Sequence, residues 1–338
     1  MGPVVQLKTR RLFESINSAA PRLDMRLPLC LMEQNELRFW LESLHALNDC
    51  SLRESAGAER VVACDASASA AGAIYVDRAG HRHVATSVFS PREAAQSSTY
   101  RELITVLFAL QSFSQFLKGK RVVFQTDNMG VTAIVRKGSG KSNLQAVAEQ
   151  IYVFCTRNAC SLEVVWVPRE DNTEADEASR IVDFDDWGVR AKFFEICDKK
   201  WGPHTIDRFA DHRNTKLPRF NSKFFVPGTE AVEAFACNWA WEMNWLTPPI
   251  SLIIRTVKHL EDCRGRGTLA VPEWPTKAFF ALLRPDGVAW APFVKDVLRF
   301  PPGTRLFNPA TQFTSVFNEE FSRSPFLFLL LDFSPQGL

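Results

Sequence analysis

The chain has 338 residues, of which 46% are hydrophobic and 23% are charged. This balance is typical of a folded protein and excludes a largely disordered chain, while about 150 residues per domain favours two domains. Lysine and arginine number 40 against 38 acidic residues, and this near balance excludes a protein that coats polyanions through its overall charge. The longest apolar run, residues 326–331, is far shorter than the roughly 18 residues that span a bilayer, so no membrane partner is expected.

The N-terminus has no apolar core of the kind found in signal peptides, so we expect an intracellular protein, nuclear or cytoplasmic. The eight cysteines are scattered and include no Cys-x-x-Cys pair. This pattern favours reduced thiols over a disulfide framework or a zinc ribbon.

Residues 1–57 form a predicted helical lead-in, with residues 35–41 and Leu44 on one helix face. Short β-rich runs follow at residues 61–64, 73–76 and 84–89. A tight turn at residues 77–80 joins the last two runs, and together they predict an antiparallel meander.

The clearest predicted helix begins at Ser97 or Ser98, either of which can cap it, and its apolar stripe extends to Leu117. The remaining elements are predicted in the order strand, helix, helix, strand, helix, at residues 122–124, 128–136, 142–157, 162–167 and 173–180. The whole order βββαβααβα predicts an α/β domain over residues 58–182, with a mixed sheet flanked by helices.

The second half of the chain is richer in tryptophan, and we predict a separate domain over residues 199–338 after a linker at 183–198. Residues 269–272 are predicted to form a central strand and residues 326–333 a late buried strand. Core packing is the favoured interpretation of these tryptophans, ahead of stacking on bases.

Four acidic residues, Asp65, Glu102, Asp127 and Asp176, lie at the ends of predicted elements or on helices that face the sheet. Any one of them alone is typical of a solvated position. A cluster of carboxylates is tolerable chiefly when cations lie among them, and four carboxylates balance two divalent cations. Oxygen ligands favour Mg²⁺ or Mn²⁺, and a pair of such ions can hold both the attacking and the leaving oxygen of a phosphodiester.

The acids lie in short motifs, which read Cys64-Asp65-Ala66-Ser67, Tyr100-Arg101-Glu102-Leu103, Gln125-Thr126-Asp127-Asn128 and Asn172-Thr173-Glu174-Ala175-Asp176. With these motifs in this order, residues 60–180 resemble the ribonuclease H domain of retroelements, in particular the DIRS-type, tyrosine-recombinase retrotransposons. The resemblance implies a ribonuclease H-like mixed five-stranded sheet. It also implies an endonuclease that cuts the RNA strand of RNA/DNA hybrids with two Mg²⁺ or Mn²⁺ ions, leaving a 3′-hydroxyl and a 5′-phosphate.

The resemblance also implies a role for each acid. Asp65 would bridge both ions, Glu102 and Asp127 would complete the site of the leaving-group ion, and Asp176 would hold the ion that activates water. Glu102 could also contact the 2′-hydroxyl of the RNA strand. Asp171 is the alternative fourth ligand. Many ribonucleases H carry a histidine shortly before the last helix, whereas residues 167–172 contain none, so turnover is expected to be slow.

Between Lys118 and Lys141 there are six basic residues and one acid. This excess predicts a path for a phosphate backbone, although a solvated helix-loop face is an equal alternative. The predicted nucleic-acid contacts are Lys120, Arg136, Lys137 and Lys141, together with Arg101.

No polymerase-type Tyr-x-Asp-Asp motif is present, and residues 1–57 resemble the connection that follows a reverse transcriptase. We therefore interpret the chain as the back half of a retroelement polyprotein, plausibly a truncated copy, with a reverse transcriptase as a potential partner.

Residues 201–210, 214–220 and 245–250 are similar to the region after ribonuclease H in DIRS-type elements, which resembles phage-type adenine DNA methyltransferases. The similarity implies a second α/β domain. In active enzymes of that kind an Asp/Asn-Pro-Pro-aromatic motif holds a flipped adenine, but here Thr247 replaces the polar residue and Ile250 the ring. Because threonine matches the amine poorly and isoleucine cannot stack, we expect a methyltransferase-like domain without methylation activity, and no site for a cofactor such as S-adenosylmethionine.

Two other functions remain open from the sequence. One is a non-catalytic remnant that binds nucleic acid, with its acids retained by chance or for another use. The other, which depends on residues 247–250 being functional, is a DNA methyltransferase with a ribonuclease-like appendage.

Overall fold

A computed structural model describes residues 2–19, 26, 28–48, 57–181, 187–308, 317 and 319–335. The chain divides into two units, Met1–Ile181 and Val182–Leu338. Within the described ranges, no helix combines the length and the apolar character that crossing a membrane requires.

A mixed five-stranded sheet forms the centre of the first unit. Its strands are β1 (Arg60–Ala66), β2 (Ala70–Val76), β3 (Arg82–Val88), β4 (Arg121–Thr126) and β5 (Ser161–Trp166). They are arranged in the order β3-β2-β1-β4-β5. The β1–β2 and β2–β3 pairs are antiparallel, while β1–β4 and β4–β5 are parallel. The predicted meander and the predicted mixed sheet are both confirmed.

Nine helices of this unit lie within the described residues. They are α1 (Gly2–Lys8), α2 (Arg10–Ala19), α3 (Leu31–Asn48), α4 (Pro91–Ala94), α5 (Ser98–Ser112), α6 (Ser114–Leu117), α7 (Met129–Lys137), α8 (Ser142–Arg157) and α9 (Thr173–Ser179). Ser97 caps α5 by accepting a hydrogen bond from the main-chain nitrogen of Tyr100, as its position before the apolar stripe predicted. The stripe packs α5 against β1, β2 and α8.

Helix α9 lies close against β2 because that strand carries a glycine at the point of contact. A Cβ atom at Gly72 would lie 2.1 Å from the main-chain nitrogen of Ser179, so no larger residue fits there without movement of the backbone. The buried amide of Asn172 donates from Nδ2 to the main-chain oxygen of Cys64 at 3.0 Å. These two contacts fix α9 beside β1 and β2.

The lead-in helices pack within the first unit. Gln145 of α8 donates from Nε2 to the main-chain oxygen of Leu7 at 3.0 Å, and Trp40 donates from Nε1 to that of Lys8 at 3.0 Å. Of the predicted segment 1–57, residues 20–25, 27 and 49–56 lie outside the described residues.

Helix α3 carries its leucines on one exposed face and turns two of its acids inward. Leu37, Leu41 and Leu44 are exposed, whereas Glu33 and Glu36 are buried. The reason is that Glu36 accepts hydrogen bonds from main-chain nitrogens in α2, at 2.9 and 3.0 Å. A helix whose acids are bound to a neighbouring helix turns its leucines outward.

The second unit holds another five-stranded sheet and a separate two-stranded one. Its strands are β6 (Ile206–Asp207), β7 (Asn221–Ser222), β8 (Ala231–Val232), β9 (Met243–Leu246), β10 (Arg266–Pro272), β11 (Val294–Phe300) and β12 (Phe326–Asp332). The larger sheet has the order β11-β12-β10-β9-β6, so the predicted central strand and the predicted late buried strand are confirmed as β10 and β12. Its helices are α10 (Ala191–Trp201), α11 (Ile253–Asp262) and α12 (Ala278–Leu283).

The structure corrects the predicted linker over residues 183–198. Residues 182–186 lie outside the described residues, but α10 begins at Ala191 and buries Phe193, Phe194 and Cys197 in the core of the second unit. This apolar face, at positions i, i+1 and i+4, is typical of an amphipathic helix and not of an exposed connection. The described part of the second unit therefore begins at residue 187 and not at 199.

Candidate metal centre

Three of the four predicted acids converge at one edge of the first sheet. Ala63 of β1 is paired with Gln125 of β4, so Asp65 and Asp127 lie two residues further along parallel strands. Glu102 lies in the second turn of α5, which packs on β1. One carboxylate oxygen from each of the three lies within 4.8 Å of those of the other two. We call Asp65, Glu102 and Asp127 the acidic triad.

The hydrogen-bond donors that reach Asp65 and Glu102 are uncharged. Glu102, 5% exposed, accepts from the main-chain nitrogen of Ala66 at 3.3 Å and from Oγ1 of Thr126 at 3.4 Å. Asp65, 6% exposed, accepts from Oγ of Ser179 at 2.8 Å. Negative charge is therefore gathered here without a matching positive charge bound to these two carboxylates.

The electrostatics of the triad follow from this arrangement. Burial and, to a lesser extent, the neighbouring charges of Asp65 and Asp127 together raise the pKa of Glu102 to about 8. Burial also raises the pKa of Asp65, while the hydrogen bond from Ser179 opposes that rise. A cation among the three carboxylates would offset the repulsion between their negative charges.

The triad fits a divalent cation in donor chemistry and in space. All its donors are carboxylate oxygens, which hard cations such as Mg²⁺ and Mn²⁺ prefer. They open onto a pocket of about 540 Å³, whose lining also includes Ser67 and Asn128. The residues present therefore fit at least one such ion.

Asp176 lines the same pocket but does not belong to the group of converging oxygens. Its Oδ1 atom pairs instead with Nη2 of Arg169 at 3.2 Å and with Nη2 of Arg180 at 2.7 Å. The two guanidinium groups, with Arg180 the stronger influence, lower the pKa of Asp176. Asp171, the alternative fourth ligand, is exposed and lies outside the lining of the pocket.

Sequence reasoning missed several residues that position this site. Ser179 and Asn172 form hydrogen bonds with residues of β1, and no local sequence pattern predicts these tertiary contacts. Trp166 donates from Nε1 to the main-chain oxygen of Asp127 at 3.0 Å, which ties the end of β4 to β5. The pairing of Asp176 with Arg180 could have been found, since residues four apart on a helix are neighbours.

Two of the predicted nucleic-acid contacts, Arg101 and Lys120, have partners within the first unit. The guanidinium of Arg101 donates to the main-chain oxygens of Ser67, Ala94 and Gln96, so it braces the loop beside the triad. Lys120 precedes β4 whereas Asp127 follows it, and six strand residues separate them by about 20 Å. Lys120 also pairs with Glu59 at 3.4 Å.

The other three predicted contacts are exposed. Arg136 and Lys137 end α7, and Lys141 occupies the N-cap of α8. Gly138 connects them through a left-handed conformation with φ of 72°, which ends α7. These three side chains form a basic surface, which we call the α7–α8 basic surface.

One family model matches part of the chain. Residues 57–182 match the family model described as "Reverse transcriptase-like". No curated protein matches the chain.

Several solved structures are similar to part of the chain. LC11-RNase H1, in complex with RNA/DNA hybrid, is 17% identical with a TM-score of 0.31, over 36% of this chain and 93% of that one. RNase H1 from the halophilic archaeon Halobacterium salinarum NRC-1 is 15% identical with a TM-score of 0.30, over 35% and 92%. Prototype Foamy Virus Protease-Reverse Transcriptase is 17% identical with a TM-score of 0.27, over 47% of this chain and 21% of that one.

Proposed function

We propose that the first unit is a ribonuclease H-type endonuclease, which hydrolyses the RNA strand of RNA/DNA hybrids with divalent cations. The observation that carries the proposal is the convergence of Asp65, Glu102 and Asp127 on one open pocket. The match of residues 57–182 to the reverse transcriptase-like family supports it. Mg²⁺ or Mn²⁺ are the proposed cofactors, with Asp176 as the proposed ligand for the second of two ions.

When bound, the cation would supply positive charge to the phosphate group, where the oxygen of a water forms a bond to phosphorus as the bond to the 3′-oxygen of the RNA strand breaks. The chain's own residues prepare the ligands for it. Ser179 orients Asp65, the Ala66 amide and Thr126 orient Glu102, and Trp166 holds the main chain at Asp127. Outer partners of this kind fix ligand geometry before the ion arrives.

The α7–α8 basic surface is the proposed path of the nucleic-acid backbone. Arg136, Lys137 and Lys141 are exposed and closely spaced in the sequence, so they can follow successive phosphates. Their contribution to hybrid binding should decline as salt concentration rises, because phosphate contacts release counterions.

The experiment is cleavage of a labelled RNA/DNA hybrid by wild type and by Asp127→Asn, in Mg²⁺ and in Mn²⁺. We expect wild type to cut the RNA strand, and the variant to be slower by about 1000-fold, because cation stabilisation is worth several kcal/mol. Glu163→Gln is the matched control, since Glu163 is an exposed acid of the same unit that pairs with Arg121.

Equal cleavage by wild type and Asp127→Asn would contradict the proposal. No cleavage by either, with hybrid binding intact, would favour the alternative of a non-catalytic nucleic-acid-binding remnant.

For the second unit we propose a methyltransferase-like domain without methylation activity, in a polyprotein of DIRS type whose reverse transcriptase is the proposed partner. Thr247 donates from Oγ1 to the main-chain oxygen of Phe209 at 3.5 Å, and Ile250 packs against the core. The two side chains that would have to hold an adenine are therefore engaged within the unit. Methyl transfer to adenine in duplex DNA would contradict this proposal.

A further inference from the structure

Two arginines hold the fourth acid of the pocket from two sides. Arg180 follows the end of α9, one helical turn beyond Asp176, whereas Arg169 opens the turn after β5. Both reach the same carboxylate oxygen, at 2.7 and 3.2 Å. We call this arrangement the arginine clamp.

The clamp changes the charge balance of the pocket. The ionisable residues of its lining are the acids Asp65, Glu102, Asp127 and Asp176 and the bases Arg169 and Arg180. With all of them ionised the formal charge is −2, which one divalent cation balances. Four acids without the arginines would balance two cations.

The positive charge of the clamp also reaches the triad. The charge of Arg169 acts on the carboxylate of Asp65, and the charge of Asp65 in turn acts on Arg180. A cation approaching Asp176 would therefore meet two guanidinium groups on its ligand and a first cation nearby. These positive charges repel the second cation and weaken its binding to Asp176.

We propose that Arg169 and Arg180 compete with a second divalent cation for Asp176, so that the site fills one cation at a time. This inference rests on the proposed function, which places the first cation at the acidic triad. In the protein without nucleic acid, the first ion binds Asp65, Glu102 and Asp127, and the clamp opposes the second. Because the arginine side chains are 68% and 60% exposed, they are free to turn away from Asp176 when a competitor arrives.

The test is a titration of the full chain with Mn²⁺ in the absence of nucleic acid, with free Mn²⁺ measured by electron paramagnetic resonance. Wild type is compared with the double variant Arg169→Ala/Arg180→Ala. Exposed ion pairs are individually weak, so removing both should raise the affinity for a second ion about 10-fold. Adding Asp176→Asn to the double variant should abolish that gain.

Arg82→Ala is the matched control, because Arg82 pairs with Glu174 of the same helix α9 at 3.2 Å and lies outside the pocket lining. It should leave the second affinity unchanged. A second affinity that is the same in wild type and in the double variant would overturn the proposal. Failure of wild type to bind even one Mn²⁺ would instead overturn the proposed function of the triad.

Discussion

Both units bury acidic side chains, but they balance that charge in different ways. In the second unit, burial raises the pKa of Asp207. The main-chain nitrogen of Lys216, which donates to Asp207 at 3.1 Å, and the Lys216 ammonium both oppose that rise. The neighbouring Arg208 donates to Asn244 at 2.8 Å and to Asn221 at 2.7 Å. Lys216 of the same unit thus supplies positive charge to Asp207, while Arg208 is held by neutral amide oxygens.

The acidic triad of the first unit lacks such a balance. Its carboxylates face one another across at most 4.8 Å, and the donors bound to Asp65 and Glu102 are neutral. The comparison teaches that a buried acid does not by itself indicate a metal site. What distinguishes the triad is that three carboxylates converge while the donors bound to two of them are neutral, so a cation would find its ligands already together.

The largest effect expected from this comparison concerns Asp207. Burial raises its pKa from 3.8 to about 6, so the folded protein retains a proton that the unfolded chain loses. The Asp207 contribution to the free energy of unfolding should therefore fall by about 3 kcal/mol between pH 3 and pH 8, and Asp207→Asn should lack this component. Urea unfolding of both proteins across this pH range, followed by tryptophan fluorescence, measures the difference.

Because the charge at Asp207 is matched within its own unit, Mn²⁺ should leave that difference unchanged. A difference that does not vary with pH would show that Asp207 titrates normally. A difference that Mn²⁺ removes would contradict the distinction between the two units.

The next effect concerns the triad itself. The pKa of Glu102 is about 8 without a cation, so this carboxyl must lose a proton before it can bind one. One proton displaced per ion means that Mn²⁺ affinity should rise about 50-fold from pH 6 to pH 8. Calorimetric titration in buffers of different ionisation enthalpy measures both the affinity and the released proton. An affinity that does not change over this range would contradict the assignment of Glu102 as a ligand.

The smallest effect concerns the partner of Asp65. Ser179→Ala removes the hydrogen bond at 2.8 Å and should weaken Mn²⁺ binding about 10-fold, as is typical of outer partners of metal ligands. Ser161→Ala is the matched control, because Ser161 is an exposed serine at the start of β5. Equal affinities of the two variants would show that Ser179 does not orient Asp65.

The sequence predicts the first unit well because its signals are local. Short β-rich runs mark β1 to β5, and Ser97 before an apolar stripe marks the start of α5. Once β1 and β4 are recognised as parallel neighbours, the meeting of Asp65 and Asp127 follows from strand direction.

The rest depends on contacts that sequence patterns do not encode. The Asp65–Ser179 hydrogen bond spans 114 positions. The turn that carries Arg169 onto Asp176 depends on how β5 leads into α9. In the second unit, Phe193 and Cys197 share a core with Phe328, which lies far along the chain, so their burial depends on a contact that no local pattern indicates.

The most direct test of the central claim is a crystal structure of the protein soaked in Mn²⁺ without nucleic acid, examined by anomalous diffraction. We expect an anomalous peak within about 2.5 Å of a carboxylate oxygen from each of Asp65, Glu102 and Asp127. Crystals that bind Mn²⁺ elsewhere, or that show no peak among these three side chains, would contradict it.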